Sequence, residues 1–365
     1  MPKALTPGAG AVPAAAAVRQ RAFADRLVAW QRAHGRHDLP WQQRRDAYAV
    51  WLSEIMLQQT QVATVRDYFA RFIARFPQVR DLAAASQDEV LALWSGLGYY
   101  SRARHLHRCA QQVVQQHGGE FPRTAEALQR LPGIGPSTAA AIASFCFGER
   151  ISILDGNVRR VLTRWLGFDD DLALAASERA LWQRAQDLLP TPAQVQRDAG
   201  AMPAYTQGLM DLGATLCTPR KPRCDACPMR ADCLAHARGT PEAWPVRTRK
   251  LKRSAQSLWL LWLCSPAGEV WLARRPARGV WAGLHCLPAF ESRDALDEAL
   301  PASLRSQAVD EPAFLHVLTH RDLHLHPVRV VWSLRRAPPM QGQWVARDAL
   351  AAVGLPAPVR RLLQG

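Results

Sequence analysis

Two acidic side chains in this 365-residue chain stand where acid–base chemistry is feasible. Glu54 lies in Val50-Trp51-Leu52-Ser53-Glu54-Ile55-Met56-Leu57-Gln58-Gln59-Thr60-Gln61, with no Lys or Arg between Arg45 and Arg66. A carboxyl without a cationic partner in apolar, amide-rich surroundings keeps its proton to higher pH and can serve as a general acid. The plainer alternative is a solvated polar stripe on a helix. Asp155 lies in Ile153-Leu154-Asp155-Gly156-Asn157-Val158-Arg159-Arg160, after an apolar run and before a helix. Its simplest role is a helix N-cap, which also holds the carboxylate rigidly and favours its ionised form. An acid paired with a fixed anion is the equipment of glycosidic-bond cleavage, in which a cationic sugar develops.

Four of the eight cysteines, Cys217, Cys224, Cys227 and Cys233, fall within 17 residues, with Pro219, Pro222 and Pro228 stiffening the turns between them. Thiolates this close on one loop ligate a single metal centre, and spacing alone admits zinc as well as an iron–sulfur cluster. Cys109, Cys146, Cys264 and Cys286 lie in apolar surroundings and read as packing. Leu131-Pro132-Gly133-Ile134-Gly135-Pro136-Ser137-Thr138 precedes an Ala-rich run. A glycine hairpin that opens a helix can hold a phosphate on its backbone N–H groups without reading a base. An ordinary inter-helix turn uses the same residue types.

These pieces need a scaffold. From residue 16 to 235 apolar residues recur at helical intervals, with Gly and Pro breaks that predict about ten helices of ordinary length. After the basic stretch 238–256 the pattern becomes short β-type runs at Leu258–Cys264, Val270–Ala273, Phe314–Thr319 and Leu323–Leu334. The longest uncharged run, Leu131–Gly148, is broken by proline and glycine and cannot span a bilayer. No export signal is recognised, so a cytoplasmic protein of the bacterial cytosol or nucleoid is expected. The 46 Lys and Arg against 31 Asp and Glu give a net charge of +15, which favours a polyanionic partner. Ten basic residues between Arg220 and Arg253 face only Asp225, Asp232 and Glu242, a local excess suited to phosphates. Only four lysines occur: Lys3, Lys221, Lys250 and Lys252.

Taken together, the motifs resemble those of the helix-hairpin-helix DNA glycosylases of the endonuclease III superfamily, and within them the MutY-type adenine DNA glycosylases. The likeness covers about residues 38–335. It rests on Leu39-Pro40-Trp41, the Glu54 segment, Gly96-Leu97-Gly98-Tyr99-Tyr100, the hairpin, Leu154-Asp155-Gly156-Asn157-Val158, Met210-Asp211-Leu212-Gly213-Ala214 and the four cysteines. The resemblance implies a [4Fe–4S] cluster on Cys217, Cys224, Cys227 and Cys233. It also implies double-stranded DNA as partner, with adenine opposite 8-oxoguanine or guanine flipped out and excised in base excision repair by a monomer. Glu54 would then protonate the base and help activate water, Asp155 would stabilise the sugar cation, and Asn157 would orient it. Trp41 and Gln207 would line the adenine pocket, Gln59 and Tyr99 would fill the emptied stack, and Gly133, Gly135 and Ser137 would meet the backbone. Ser137 stands where lyase members of the superfamily carry lysine, so a monofunctional enzyme without Schiff-base chemistry is expected.

The C-terminal segment resembles a Nudix domain through Gly279-Val280-Trp281-Ala282-Gly283-Leu284, yet lacks the carboxylate box of the hydrolases, so it is expected to bind and not hydrolyse. Leu318-Thr319-His320 falls where relatives place an 8-oxoguanine-sensing Phe-Ser-His loop, with Thr319 and His320 retained in kind. The expected architecture is a mainly α helix-hairpin-helix glycosylase domain with an iron–sulfur loop, followed by an α+β Nudix-like domain. Its divisions are a disordered tail 1–18, the helical domain 19–236, a basic linker 237–256, and the Nudix-like domain 257–365. The rivals are an endonuclease III-like glycosylase/lyase for oxidised pyrimidines, a catalytically silent DNA-binding protein, and a Nudix phosphohydrolase.

Overall fold

Helical periodicity becomes helices among the described residues up to 235, as seen in the computed structural model, which describes residues 14–44, 46–248 and 252–364. The chain forms two compact units: residues 1–54 with 121–249, and residues 55–120 with 250–365. Each is discontinuous in sequence. This grouping differs from the linear division expected at 236 and 257, because residues 55–120 cluster with residues 250–365. Residues 1–13 of the expected tail and 249–251 of the expected linker lie outside the described residues, whereas helix Ala14–His34 begins inside the segment read as tail. Alanine is the strongest helix former, so an Ala-rich stretch without apolar periodicity can still be helical.

In the first unit, helices Ala14–His34, Pro136–Phe147, Gly156–Leu166 and Ala201–Thr215 enclose one apolar core. Phe23, Leu27, Ile153, Leu154, Leu162, Trp165, Met202 and Tyr205 are buried there. Ile153 and Leu154 thus anchor the chain immediately before Asp155. Helix Pro136–Phe147 starts on Gly135 with proline at its first position and stops at Gly148, whose φ of 69° is left-handed.

In the second unit, helix Ser101–His117 packs with helices Val79–Ala84 and Gln87–Trp94, while strands Ser254–Cys264 and Arg321–Val331 pair in parallel, in register from Ser254 with Arg321 to Cys264 with Val331. Strand Phe314–Val317 returns antiparallel to Arg321–Val331, so residues 318–320 form a tight connection at the strand end. Leu261, Leu263, Trp271, Val328, Val330 and Trp332 form the core beneath the sheet. The helices are joined to the C-terminal part of the unit by Ser95 Oγ donating to Leu355 O (2.9 Å), Tyr100 Oη to Leu355 O (3.2 Å), and Arg274 to Asp88 (2.6 Å). No helix among the described residues is long and apolar enough to cross a membrane.

Candidate active site and iron–sulfur loop

Helix Ala47–Leu57 carries Glu54, and helix Gly156–Leu166 opens on Asp155 as its N-cap. The Asp155 carboxylate accepts from the Val158 N–H (2.7 Å), the bond the sequence predicts for a cap. Glu54 keeps some solvent contact as a residue, yet its carboxyl is desolvated enough to lift its pKa from 4.5 to about 8, with the Asp155 charge as the second cause. The two carboxyls, a hundred positions apart in sequence, therefore share one electrostatic site. Asp155 itself corrects an expectation. Burial raises its pKa by more than the Val158 and Asn157 N–H bonds, Arg160 and Arg159 lower it, so the cap alone does not secure the ionised form. With N–H donors and two arginines on Asp155 and none on Glu54 among the described residues, the proton shared by the pair resides on Glu54.

Asn157 is held from behind. Its Oδ1 accepts from Arg160 Nη2 (2.7 Å), which also donates to Gly213 O (2.8 Å), while Arg160 Nε reaches Cys217 O (2.7 Å). A Cβ on Gly213 would lie 2.6 Å from the Asn157 Cβ, so helix Ala201–Thr215 approaches helix Gly156–Leu166 too closely for any side chain there. The Ser137 hydroxyl accepts from the Leu154 N–H (3.2 Å) and so braces the segment that delivers Asp155. The hairpin is two-sided, with Leu131 and Ile134 buried and Gly133 and Gly135 exposed. Gly133 has a φ of 78°, which only glycine adopts freely, and a Cβ at Gly135 would meet open space, so the hairpin backbone is open to approach from solvent. Trp41 is buried in the short helix Pro40–Gln43. Gln207 lies on helix Ala201–Thr215 beside Thr206, whose hydroxyl bonds Ser144 (2.8 Å) on the hairpin helix.

The four cysteines are free thiols that line one cavity together with Arg164, Pro222, Arg230 and His236. Among the described residues no three His, Cys, Asp or Glu side chains converge to hold a single ion. Four sulfurs around a cavity suit a group larger than one ion, which is the fit an iron–sulfur cluster requires. The cluster, when bound, cross-links the loop. Two arginines one turn apart on helix Gly156–Leu166 grip the same loop. Besides the Arg160 bond, buried Arg164 donates through Nη1 to Thr218 O (2.7 Å) and Cys217 Sγ (3.4 Å), through Nη2 to Pro219 O (3.1 Å), and through Nε to Trp244 O (3.2 Å). Cys227→Ser is therefore expected to lower the iron content per chain and the Tm together, measured by metal analysis and calorimetry, and to slow catalysis through the start of this helix.

The second unit gathers the remaining expected site residues. Gln59 and Tyr99 both adopt left-handed backbone (φ 59° and 48°), and both are exposed. Strained non-glycine positions persist only where surroundings enforce them. Buried Arg102 does so here. Its Nη1 donates to Ile55 O (2.9 Å), Met56 O (2.9 Å) and Gln58 O (2.5 Å), and its Nη2 to Thr60 Oγ1 (3.1 Å) and Leu97 O (3.3 Å). Burial lowers its pKa only to about 10, so it stays charged. The Tyr99 hydroxyl bonds the Thr319 hydroxyl, and Arg253 donates to Thr319 O (3.0 Å). His320 is exposed at the same tip. Arg102→Ala is expected to cost on the order of 2–4 kcal/mol of stability, because several buried carbonyls lose their donor; denaturant unfolding measures it. Arg102, Arg160 and Arg164 were not singled out by sequence reasoning, since an arginine amid helical residues reads as a solvated charge.

A family model described as "HhH-GPD superfamily base excision DNA repair protein" matches residues 52–187, one described as the iron–sulfur binding domain of endonuclease III matches residues 217–233, and a NUDIX domain model matches residues 259–365. Fold and site thus define a base excision DNA repair protein with a helix-hairpin-helix domain, an iron–sulfur loop and a C-terminal Nudix-like domain. The chain is 33% identical over 352 residues to the adenine DNA glycosylase of Buchnera aphidicola subsp. Acyrthosiphon pisum (strain APS), covering 94% of this chain and 97% of that protein. It is 44% identical over 262 residues to that of Rattus norvegicus, covering 68% and 49%, and 42% identical over 264 residues to that of Homo sapiens, covering 68% and 47%. The chain belongs to the adenine DNA glycosylase family. Among solved structures, a thermostable thymine-DNA glycosylase superposes with a TM-score of 0.53 at 28% identity, covering 61% of this chain and 99% of that one.

Proposed function

We propose that this protein excises adenine from duplex DNA where it is mispaired with 8-oxoguanine or guanine, by hydrolysis of the N-glycosidic bond of a flipped-out nucleotide. The observation that carries the reading is the Glu54–Asp155 pair, one carboxyl holding a proton at neutral pH beside another held by a helix cap. Glu54 donates that proton to a ring nitrogen of the purine, which turns the base into a neutral leaving group. As the bond breaks, positive charge develops on the deoxyribose and Asp155 stabilises it, with Asn157 orienting the sugar. Glu54, now ionised, draws a proton from the attacking water. Trp41 and Gln207 line the base pocket. The backbone N–H groups of exposed Gly133 and Gly135 bind phosphate without reading sequence.

Among the described residues no lysine belongs to this constellation: Ser137 occupies the hairpin position and Arg159 is engaged with Glu178. The enzyme therefore releases the base and leaves an abasic site, without forming a Schiff base. In the second unit, Gln59 and Tyr99 fill the vacated stack and Thr319 and His320 contact the opposite 8-oxoguanine. The Nudix-like domain binds without hydrolysing. The enzyme works as a monomer in the cytosol or nucleoid.

The test uses purified protein on duplexes with adenine opposite 8-oxoguanine, adenine opposite guanine, thymine glycol, or no lesion, analysed with and without alkali. Alkali-dependent nicking of the two adenine mispairs alone is expected. Alkali-independent cleavage at thymine glycol would replace this reading with that of an oxidised-pyrimidine glycosylase/lyase.

A further inference from the structure

Resting on that reading of the pocket, we infer that Asp211 fixes the orientation of the Gln207 amide and so makes the site select a purine with an amino group at position 6 over one with an oxo group there. Asp211 is fully buried on helix Ala201–Thr215. Its Oδ1 accepts from Gln207 Nε2 (2.8 Å) and Arg36 Nε (2.7 Å), and its Oδ2 accepts from the Arg36 backbone N–H (2.9 Å). Gly35 makes this approach possible, since a Cβ there would lie 3.0 Å from Asp211 Oδ2 and 2.4 Å from Gln31 O. The carboxylate is thus clamped by donors and cannot turn.

A carboxylate only accepts hydrogen bonds, whereas an amide offers a donor on one arm and an acceptor on the other. Facing Asp211, Gln207 is compelled to turn its NH2 group inward, which leaves Oε1 as the arm available to a ligand. Gln207 is half-exposed, and Asp211 is its one side-chain partner among the described residues. The neighbouring Thr206 is bonded to Ser144 on the hairpin helix. Further along helix Ala201–Thr215, Gly213 lies against Asn157, two residues beyond Asp155, so this helix borders the site. An outward carbonyl oxygen accepts from the 6-amino group of adenine and repels the 6-oxo group of hypoxanthine or guanine. Asp211 acts through Gln207 and is a positioning residue.

Asp211→Asn provides the test, because an Asn amide can offer N–H to Gln207 Oε1 and let the glutamine turn its own N–H outward. The substrates are duplexes with adenine or hypoxanthine opposite 8-oxoguanine, and the readout is the ratio of the two single-turnover excision rates. The wild type is expected to favour adenine strongly, and Asp211→Asn to move the ratio toward hypoxanthine by about tenfold to hundredfold, as expected when a buried polar partner is mismatched. A merely structural loss would slow both substrates equally, and that result would overturn the inference. Gln207→Met keeps the decision open should Asp211→Asn not fold: with neither donor nor acceptor at residue 207 the ratio should fall toward that of an unselective pocket, and an unchanged ratio would equally overturn it. A wild type that releases no adenine at all would defeat the underlying reading instead.

Discussion

Glu54→Gln is expected to reduce adenine excision by at least about 10³-fold, in the upper half of the 10²–10⁴ commonly supplied by one general acid, because this residue serves both the departure of the base and the arrival of water. The same change should stabilise the fold in alkaline solution. Glutamine matches the protonated carboxyl in shape but cannot ionise. The Glu54 pKa is raised from 4.5 to about 8 in the folded chain, so the folded state retains a proton that the unfolded state gives up. Its contribution to stability is fully present below about pH 4.5 and is lost as pH rises through about 8. Wild type and variant should therefore melt alike near pH 4.5, diverge progressively up to about pH 8, and keep a constant gap above it. At ~1.4 kcal/mol per pKa unit, discounted for the solvent contact of the residue, the final gap should be about 2–4 kcal/mol. Wild-type excision should fall on the same alkaline limb, since the acid is lost there. Parallel melting curves across this range, or a variant that still turns over, would remove Glu54 from its role.

The residues that announce this site do so because their constraints are local. Cysteine spacing, the hairpin string and an acid amid apolar and amide neighbours are visible within windows of about twenty residues. Asp155 as a cap is equally local, and the observed bond to the Val158 N–H is the expected one. What escaped is what depends on distant segments. The parallel pairing of 254–264 with 321–331 joins strands almost sixty residues apart, and nothing within either strand encodes its partner. The association of 55–120 with the C-terminal sheet is likewise invisible to a linear reading. Ser137 offered a hydroxyl in a phosphate-binding string, but the Leu154 N–H that engages it comes from another loop. Arg102 and Arg164 carry the same charge as dozens of surface arginines, and only their burial distinguishes them. The Ala-rich start misled in the opposite direction, because composition without periodicity reads as disorder while each alanine favours helix.

Asp155→Asn separates the two functions that converge on this side chain. Asparagine caps helices about as well as aspartate, so the bond to the Val158 N–H can be kept while the charge is removed. If Asp155 were only a cap, activity and stability would both be nearly unchanged. If it is the anion that stabilises the sugar cation, excision should fall by about 10³-fold or more with Tm within a few degrees of wild type, as for loss of a preorganised charge opposite developing charge. Removal of this anion carries a further consequence for Glu54. The Asp155 charge is one of the two causes that raise the Glu54 pKa, so its loss should bring the pKa partway down while burial keeps it above 4.5. The pH window over which Glu54→Gln stabilises the protein should accordingly close at lower pH when both substitutions are compared with Asp155→Asn alone. Asp155→Ala supplies the contrast: it loses the cap as well, and should be less stable than Asp155→Asn by about 0.5–2 kcal/mol while equally inactive. Coupling of this kind distinguishes two carboxyls working on one glycosidic bond from two independently important residues, since independent sites would show additive effects at every pH.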